Sequence, residues 1–314
     1  MKIKAFIDGQ FGTTGLELKE RLIRHPSVEL IEIDSAQRKH TPVRKAAMQD
    51  ADVVFLCLPD AGSRVASQWI DPDTTVVIDA SSEFRTHKDW VYGIPELVGA
   101  REAIRIAPRI ANPGCYPTGF ALLIQPLVRA GIVPKNYPLS VQAITGFSGG
   151  GRAMIDEYEA MPDDQRVHAV AAYKSLGLDH KHLPEMQHVN GLDMAPLFVP
   201  TVGAFKRGML VSVPLQQSWL NGDAQPIQEI YQLSYQHEAF VRLHRLNDYD
   251  ALHNGYLQAT ASNGTNDVEL FIYAKRGQIF LSARLDNLGK GASGAAVQNM
   301  NCRFGFDEGL GLKA

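Results

Sequence analysis

Cysteine is scarce in this sequence, neither sign of charge is in strong excess, and no apolar run is long. The three cysteines, Cys57, Cys115 and Cys302, are odd in number and far apart, which argues against a disulfide framework and a zinc cluster. We therefore expect a reducing, cytoplasmic setting. A net charge of −3 gives no reason to expect nucleic acid or an anionic membrane as a partner. The N-terminal apolar stretch is interrupted at Asp8, too early for a signal peptide, and no apolar run approaches a membrane span.

The length and the hydrophobic patterns predict two domains. A chain of 314 residues exceeds what one core usually fills. Strands alternate with helical patterns in the first third, which predicts an α/β fold with a Rossmann-type, doubly wound parallel sheet. Strands predominate after Cys115, which predicts a second, α+β domain with a largely antiparallel sheet. The predicted strands are Ile3–Ile7, Val28–Ile33, Asp52–Leu58, Thr75–Asp79, Ser140–Thr145, Phe198–Pro200, Gly208–Val213, Tyr256–Ser262, Val268–Ala274 and Gln278–Leu285. One predicted helix has an apolar face formed by Leu16, Leu18, Leu22 and Ile23, and another lies at Pro226–Tyr235.

A glycine turn follows the first predicted strand and leads into a helix. Gly9, Gly12 and Gly15 have the spacing G-x-x-G-x-x-G, and Thr13 and Thr14 begin the helix. In this context glycines let the backbone approach a pyrophosphate, which the helix N-terminus receives. The spacing differs from the more familiar G-x-G-x-x-G, so packing alone is an alternative explanation.

The end of the second predicted strand carries mixed signals about the cofactor. Asp34 is placed to hold the ribose hydroxyls of NAD. Ser35, Arg38 and Lys39 crowd the same place, and a guanidinium there suits the 2′-phosphate of NADP. We favour NADP(H), with a solvated charged loop as the alternative.

Cys115 belongs to the segment Asn112-Pro113-Gly114-Cys115-Tyr116-Pro117-Thr118, which precedes an apolar helical pattern from Phe120 to Val128. Pro117 suits the first position of a helix. Cys115 would then lie at the helix entrance, where free N–H groups stabilise an anion and lower the pKa of a thiol. The motif therefore predicts a nucleophile, and a buried core cysteine is the alternative.

Four segments together resemble sequences of the N-acetyl-γ-glutamyl-phosphate reductases. The short length of the chain and the sequence Gly12-Thr13-Thr14-Gly15 resemble the short, second type of this family. The segments are 8–15, 112–118, His180-Lys181-His182-Leu183-Pro184-Glu185 and 287–292. Aspartate-semialdehyde dehydrogenases share the architecture and a cysteine in a similar turn, and the His-x-His-x-x-Glu stretch is typical of the first family. An aspartyl-phosphate reductase and a non-catalytic dinucleotide-sensing protein are the alternatives. Phe11 stands where many relatives carry a small residue.

The resemblance implies NADPH-dependent reduction of an acyl phosphate in arginine biosynthesis, through a thioester on Cys115. We interpret His182 as the proton-transfer partner and His180 as an orienting residue; a metal site at His180, His182 and Glu185 is discounted because no further ligand pattern accompanies it. The predicted substrate residues are Arg85, Ser148, Gly149, Arg152 and Glu185. The predicted cofactor residues are Gly9, Gly12, Thr13, Thr14, Gly15, Ser35, Arg38, Pro59, Ser81, Asn287, Gly289 and Lys290. Predicted domains are 1–114 with 287–314 for the cofactor and 115–286 for catalysis and oligomerisation, and the resemblance suggests a homodimer or homotetramer.

Overall fold

The computed structural model describes residues 2–166, 169 and 171–314. The chain divides into two compact units. Unit 1 comprises the chain up to Gly114 together with Ala292–Lys313, and unit 2 comprises Cys115–Gly291. No helix within the described residues is both long and apolar enough to span a bilayer.

Unit 1 is built on a parallel sheet whose described strands follow the order β2-β1-β3-β4-β6-β5. Every neighbouring pair in this sheet is parallel. The strands are β1 Ile3–Asp8, β2 Val28–Ile31, β3 Val53–Leu56, β4 Val76–Asp79, β5 Val91–Tyr92 and β6 Arg109–Ala111. The helices are α1 Thr13–Arg24, α2 Thr41–Gln49, α3 Asp60–Ser67, α4 Ala100–Ile106 and a C-terminal helix Gly294–Phe304.

Helices cover both faces of this sheet. Successive strand residues point to opposite faces, and both sets are apolar, so each face needs helices to bury it. Ile7 and Phe55 pack in one apolar cluster with Met300 of the C-terminal helix. Their neighbours Phe6 and Val54 pack in a second cluster on the other face. The prediction of a doubly wound parallel sheet is confirmed.

Unit 2 is built on a mixed sheet whose described strands follow the order β11-β12-β13-β10-β7-β9-β8. The pairs β7·β9 and β11·β12 are parallel and the other neighbours antiparallel, so the prediction of a largely antiparallel sheet is confirmed. The strands are β7 Ser140–Gly146, β8 Ala171–Tyr173, β9 Leu197–Gly203, β10 Met209–Gln216, β11 Val241–Leu243, β12 Val268–Lys275 and β13 Gln278–Leu285. The helices are α5 Cys115–Arg129, α6 Gly151–Ala160, α7 Asp163–Arg166, α8 Leu183–Asn190 and α9 Ala224–Tyr235.

Helix α5 is the central helix of unit 2, and its apolar sequence is buried along most of its length. It approaches the sheet closely at Gly119, where a Cβ atom would lie 3.0 Å from Val211 and 3.2 Å from Ala283. The helix begins at Cys115, so Pro117 is its third residue and not its first. Pro117 still costs no hydrogen bond, because the N–H groups of the first turn have no intrahelical partner.

Three predictions about local structure are wrong. Leu16 and Ile23 are 41% and 62% exposed, because α1 buries only the narrower face that carries Gly15, Leu18 and Leu22. The strand predicted at Tyr256–Ser262 does not form, and the segment consists of turns and irregular structure. Asn-Gly pairs flank it on both sides, and Gly255 and Gly264 adopt φ values of +82° and +80°, which belong to turns. Strand β2 ends at Ile31, two residues earlier than predicted.

Candidate active site

A cavity of about 440 Å³ lies in unit 1 at the carboxyl ends of β1 and β3. The sheet order places β2 on one side of β1 and β3 on the other, so the chain reverses direction across the sheet at this point. Ligands of open parallel sheets bind at such a switch point. The cavity is lined by Ile7, Asp8, Gly9, Gln10, Phe11, Gly12, Ile33, Arg38, Lys39, Arg44, Cys57, Leu58, Pro59 and Gly62.

The three glycines of the first turn have different physical roles. Gly9 adopts a φ of +92°, and a Cβ there would lie 2.3 Å from the Cys57 carbonyl oxygen. A Cβ on Gly15 would lie 2.3 Å from the Gly9 carbonyl oxygen. At Gly12 a Cβ would meet only an ordinary contact at 3.5 Å. The chain itself therefore requires Gly9 and Gly15, whereas Gly12 leaves open the space in front of helix α1.

The start of α1 fits a bound dinucleotide. Gly12 is the N-cap residue and offers no side-chain cap, so the first N–H groups at Thr13, Thr14 and Gly15 face the space in front of the helix. The Thr13 hydroxyl oxygen is buried and has no hydrogen-bond partner within the described chain. Free N–H groups and an unsatisfied hydroxyl at a helix N-terminus are suited to a pyrophosphate.

Cationic side chains line the side of the cavity that follows β2. Asp34 accepts a hydrogen bond from the Ala36 N–H at 2.8 Å and so caps the short 3₁₀ turn Ser35–Gln37. The Arg38 guanidinium carbon lies 4.9 Å from the centre of the Phe11 ring. Neither Arg38 nor Lys39 has a carboxylate partner among the residues that the structure describes.

Arg44 also lines this cavity, but its charge is compensated. Its Nε and Nη2 atoms donate to the two carboxylate oxygens of Asp8 at 3.0 and 2.6 Å, and its guanidinium stacks on Trp69 at 4.9 Å. This bidentate pair joins the end of β1 to α2. Arg38 and Lys39 are therefore the cations most suited to an additional phosphate.

Of the predicted cofactor residues that follow β3 and β4, only Pro59 lines the cavity. Pro59 is the N-cap residue of α3. The Ser81 hydroxyl and N–H instead donate to Asp79 at 2.6 and 3.0 Å. Burial raises the pKa of Asp79 to about 6. Ser81 thus has an observed role in holding the loop after β4.

Arg85 is buried in unit 1, and two backbone carbonyl groups accept hydrogen bonds from it. Its Nε donates to Asn112 at 3.1 Å and its Nη2 to Ala80 at 3.1 Å. Asn112 in turn donates to the Ala292 carbonyl at 3.0 Å and accepts from Asn299 at 3.1 Å. Arg85 therefore holds the segment that runs into Cys115 along the chain.

Cys115 is half-buried in unit 2 at the first residue of α5. The turn from Asp286 to Gly291, which we call the 286–291 turn, lies directly against it. A Cβ atom on Gly291 would lie 2.8 Å from the Cys115 Cβ, and one on Gly289 would lie 2.4 Å from the Thr265 carbonyl oxygen. Only glycine fits at these two positions, which explains the Gly-Lys-Gly sequence.

The thiols of Cys57 and Cys302 have pKa values too high for a nucleophilic cysteine. Burial is the main cause that raises the pKa of Cys57 to about 12 and that of Cys302 to about 11. Both are therefore neutral thiols at physiological pH, and only a thiolate is an effective nucleophile.

The two predicted histidines, His180 and His182, both pack against Tyr116, the residue that follows Cys115. The Tyr116 ring centre lies 5.9 Å from that of His180 and 5.8 Å from that of His182. The two imidazoles are 4.7 Å apart, and Phe198 packs against His180 at 5.1 Å. This aromatic cluster brings both histidines to the beginning of α5. No group of three or more side chains with metal-ligand chemistry forms within the described part of the chain.

The protonation of His180 follows from its contacts. Burial, reinforced by the charges of Lys174 and Lys181, lowers the pKa of His180 to about 4. Its Nδ1 atom accepts a hydrogen bond from the His182 N–H at 3.1 Å. His180 is therefore neutral at pH 7 and carries its proton on Nε2.

His182 and Glu185 are both buried at the start of α8. His182 is the N-cap residue of this helix, and Glu185 lies in its first turn. A carboxylate there is stabilised by the helix dipole. The His-x-His-x-x-Glu spacing thus places one imidazole in the loop before the helix, one at its cap and the carboxylate within it.

Asn287 connects two parts of the site in unit 2. Its amide donates to the Ser148 hydroxyl at 3.0 Å and accepts from the Gly208 N–H at 2.9 Å. Ser148 is buried in the short 3₁₀ helix Phe147–Gly150, and Gly149 is exposed beside it. Arg152 is 65% exposed at the start of α6 and pairs with Asp156 at 2.8 Å.

Two charged residues of this region were not among the sequence predictions. Asp286 is fully buried and accepts hydrogen bonds from the Gly264 and Leu288 N–H groups at 2.8 and 2.9 Å. The Arg207 Nε lies 3.5 Å from the same carboxylate. The position of Asp286 directly before the predicted site residue Asn287 could have drawn attention to it. Arg207 belongs to no local sequence motif that could have identified it.

Lys290 is almost completely buried within unit 2. Its side chain is 1% exposed, and its ammonium lies 5.8 Å from the Phe240 ring centre inside unit 2. The side chain therefore packs within unit 2. Contact with a cofactor stays a prediction for this residue and for Gly289.

Comparison with known proteins agrees with these features. Residues 4–107 match the family model described as "Semialdehyde dehydrogenase, NAD binding domain", and residues 115–287 match "Semialdehyde dehydrogenase, dimerisation domain". The chain is 43% identical over 322 aligned residues to "N-acetyl-gamma-glutamyl-phosphate reductase" of Trichormus variabilis, with 99% of each chain covered. It is 44% identical to "N-acetyl-gamma-glutamyl-phosphate reductase 2" of Pseudomonas putida, with 96% of each covered.

A solved structure resembles the fold at much lower identity. It is an aspartate semialdehyde dehydrogenase with NADP from Candida albicans, with a TM-score of 0.62 and 14% identity over 96% of this chain and 98% of that chain. At this identity the likeness concerns the fold alone. The full-length similarity to the named reductases is the more specific finding, and it agrees with the His-x-His-x-x-Glu stretch. The chain belongs to the N-acetyl-γ-glutamyl-phosphate reductase family of semialdehyde dehydrogenases.

Proposed function

We propose that this chain reduces N-acetyl-γ-glutamyl phosphate to N-acetylglutamate semialdehyde, with release of phosphate, as a step of arginine biosynthesis. The observation that carries the proposal is the position of Cys115 in the first turn of α5, next to the 286–291 turn and the cluster of Tyr116, His180 and His182. The names of relatives at 43% and 44% identity supply the substrate.

The chemistry begins at the Cys115 sulfur. Its thiolate attacks the acyl carbon, the carbon–oxygen bond to phosphate breaks, and a thioester forms on the enzyme. The bound nicotinamide nucleotide supplies a hydride for reduction of this thioester. The resulting thiohemiacetal collapses to the aldehyde and restores the thiolate. N–H groups at the start of α5 stabilise the negative sulfur at the beginning and end of this sequence.

The two histidines have separate roles in this proposal. His182 takes the thiol proton from Cys115 and returns it when required. His180 is neutral at pH 7, because burial lowers its pKa to about 4. With its Nδ1 occupied by the His182 N–H, His180 orients the loop that carries His182 and does not exchange a proton itself.

The dinucleotide is proposed to be NADP(H). Gly9, Gly12 and Gly15 would leave room for the pyrophosphate, and the N–H groups of Thr13 and Thr14 would bind it. Ser35 and Arg38 would bind the 2′-phosphate, with Pro59 along the cavity wall and Ser81, Asn287, Gly289 and Lys290 toward the nicotinamide. The preference for NADP(H) is supported by Arg38 and Lys39, which have no carboxylate partner in the described chain.

The substrate has two anionic groups, a phosphate and an α-carboxylate, and each requires donors. The proposed residues are Arg85, Ser148, Gly149, Arg152 and Glu185. The buried carboxylate of Glu185 would accept from the acetamido N–H, and the Ser148 hydroxyl and the Gly149 N–H would stabilise the acyl oxygen.

The assembly is proposed to be a homodimer or a homotetramer formed through unit 2. The match to a family model described as a dimerisation domain supports this assembly, as does the half-apolar sheet face that includes Leu197, Leu210 and Phe280. We retain the proposed domains 1–114 with 287–314 and 115–286. The three cysteines form no disulfide, which is compatible with a cytoplasmic setting.

The direct test is the reverse reaction with N-acetylglutamate semialdehyde, phosphate and NADP⁺. We expect Cys115→Ser to lower kcat by roughly 10⁴-fold or more, while Cys302→Ala stays near the wild type as a matched control. NADPH binding should persist in both variants, measured by fluorescence titration.

Other outcomes would contradict the proposal. Turnover of aspartate semialdehyde alone would assign the chain to the sister reaction. NADPH binding without turnover, together with slow alkylation of Cys115, would identify a dinucleotide-sensing protein.

A further inference from the structure

Phe11 is a large apolar side chain in the wall of the unit 1 cavity. It lies in the turn between β1 and α1 and is 42% exposed. The turn fixes its backbone, since the Gly12 N–H donates to the Gly9 carbonyl at 3.1 Å. Burial of a phenylalanine is strongly favourable, yet Phe11 belongs to neither of the two apolar clusters that cover the sheet. The side chain is therefore available to a partner other than the core.

The partner that the structure gives to this ring is Arg38. The Arg38 guanidinium carbon lies 4.9 Å from the centre of the Phe11 ring. The backbone before Arg38 is fixed by the short 3₁₀ turn Ser35–Gln37, whose N-cap residue is Asp34. Strands β1 and β2 are direct neighbours in the sheet, so the turns that follow them meet at the same edge. The ring from one turn thus contacts the cation from the other.

A ring holds a guanidinium in a different way from a carboxylate. Aromatic rings attract a cation placed over their face, and they leave its charge and its five N–H donors available. A carboxylate also holds the guanidinium, but it occupies donors and compensates the charge, as Asp8 does for Arg44 in the same cavity. An exposed arginine otherwise has considerable rotamer freedom, which binding has to remove. Contact with Phe11 restricts Arg38 and still leaves it suited to a phosphate.

We propose that Phe11 is a positioning residue that selects NADP(H) over NAD(H), because it holds the Arg38 guanidinium in place for the 2′-phosphate. The proposal rests on the function proposed above, since it explains the cofactor preference stated there. Phe11 acts through Arg38 and not by contact with the phosphate. A cation that is held in place before binding loses less freedom when the ligand arrives. NADH has no 2′-phosphate and therefore gains nothing from this arrangement.

The test measures the Kd of NADPH and of NADH for variants of the full chain by fluorescence titration. We expect Phe11→Ala to raise the Kd of NADPH by roughly 3- to 5-fold, the effect of one exposed cation–π contact, and that of NADH by less than about 2-fold. Phe11→Leu should resemble Phe11→Ala, because it keeps apolar bulk without a π face. Phe11→Tyr should bind as the wild type does. Leu16→Ala is the matched control, since Leu16 of α1 is equally exposed, at 41%.

A double variant tests whether Phe11 acts through Arg38. In the Arg38→Ala background, Phe11→Ala should weaken NADPH binding no further, because the group that the ring positions is already absent. Additive losses would overturn the proposal, as would equal weakening of NADPH and NADH by Phe11→Ala, which would assign the ring to a part common to both nucleotides. Unchanged selectivity in Phe11→Ala or in Phe11→Leu would also overturn it. A wild type that binds NADH as tightly as NADPH would instead contradict the proposed cofactor.

Discussion

The candidate functional side chains of the two units differ in their exposure to solvent. Those at the rim of the cavity in unit 1 are exposed, whereas those around Cys115 in unit 2 are mostly buried. Phe11 and Arg38 are both exposed at the rim, where the guanidinium of Arg38 lies against the Phe11 ring. Tyr116, His182 and Asp286 are buried and are each in contact with other elements of unit 2. Substitutions at the rim should therefore change ligand affinity alone. Substitutions near Cys115 should change both the reactivity of the Cys115 thiol and the free energy of unfolding.

After Cys115 itself, the largest effect is expected at His182. We expect His182→Asn to lower kcat by roughly 100- to 1,000-fold, since it removes a positioned proton-transfer group. His180→Asn should cost roughly 10-fold, because a neutral His180 only orients its neighbour. His188 of α8 is exposed, and His188→Asn is the control. Steady-state kinetics with N-acetylglutamate semialdehyde measure all three, and equal losses at positions 180 and 182 would refute the division of roles.

The second prediction compares a glycine from each region. Gly291→Ala should destabilise the protein by about 1–3 kcal/mol, because a Cβ would overpack against Cys115. It should also slow alkylation of Cys115. Gly12→Ala should cost less than about 1 kcal/mol, the effect of a poorer N-cap, since a Cβ there meets only an ordinary contact at 3.5 Å. It should weaken NADPH binding.

Urea denaturation and NADPH titration measure these two effects. If Gly12→Ala were the more destabilising variant, the contrast between the two regions would be wrong.

The third prediction concerns the exposed rim. Arg38→Ala should raise the Kd of NADPH by roughly 10-fold, the effect of one charge-assisted contact with a 2′-phosphate. The Kd of NADH should change by less than about 2-fold, because NADH has no such phosphate. Parallel fluorescence titrations measure both constants. Equal weakening of the two cofactors would remove Arg38 from the 2′-phosphate site.

The smallest effect is a pH dependence of stability that originates in His180. Its pKa is about 4 in the folded protein, against an ordinary value of 6.5, so the unfolded chain binds the proton more readily between these values. The contribution of neutral His180 is complete above pH 6.5 and is lost as the pH falls toward 4. After allowance for solvent screening we expect about 1 kcal/mol.

His180→Asn should therefore flatten this part of the curve of unfolding free energy against pH. Urea denaturation at several pH values between 4 and 7 measures the slope. An unchanged slope in the variant would show that other groups cause the dependence.

Local sequence patterns were sufficient where local physics decides the structure. The apolar run after Cys115 predicted α5, and the strand–glycine–helix order at Gly9 predicted the beginning of the parallel sheet. The same patterns failed at Leu16 and Ile23, because periodicity identifies a helix but not how wide a face its neighbours cover. The strand prediction at Tyr256–Ser262 failed because Asn-Gly pairs directly before and after the segment favour turns, which the alternation of polar and apolar residues does not reveal.

The sequence by itself determined the family, the two types of sheet and the cysteine at a helix entrance, since each depends on residues that are close together along the chain. Only the tertiary structure decided which other groups surround that cysteine. Arg207 and Asp286 are 79 residues apart and show no common motif, yet their side chains pair beside the 286–291 turn. The burial that makes His180 neutral is likewise a product of packing, because desolvation depends on neighbours that are brought together only when the chain folds.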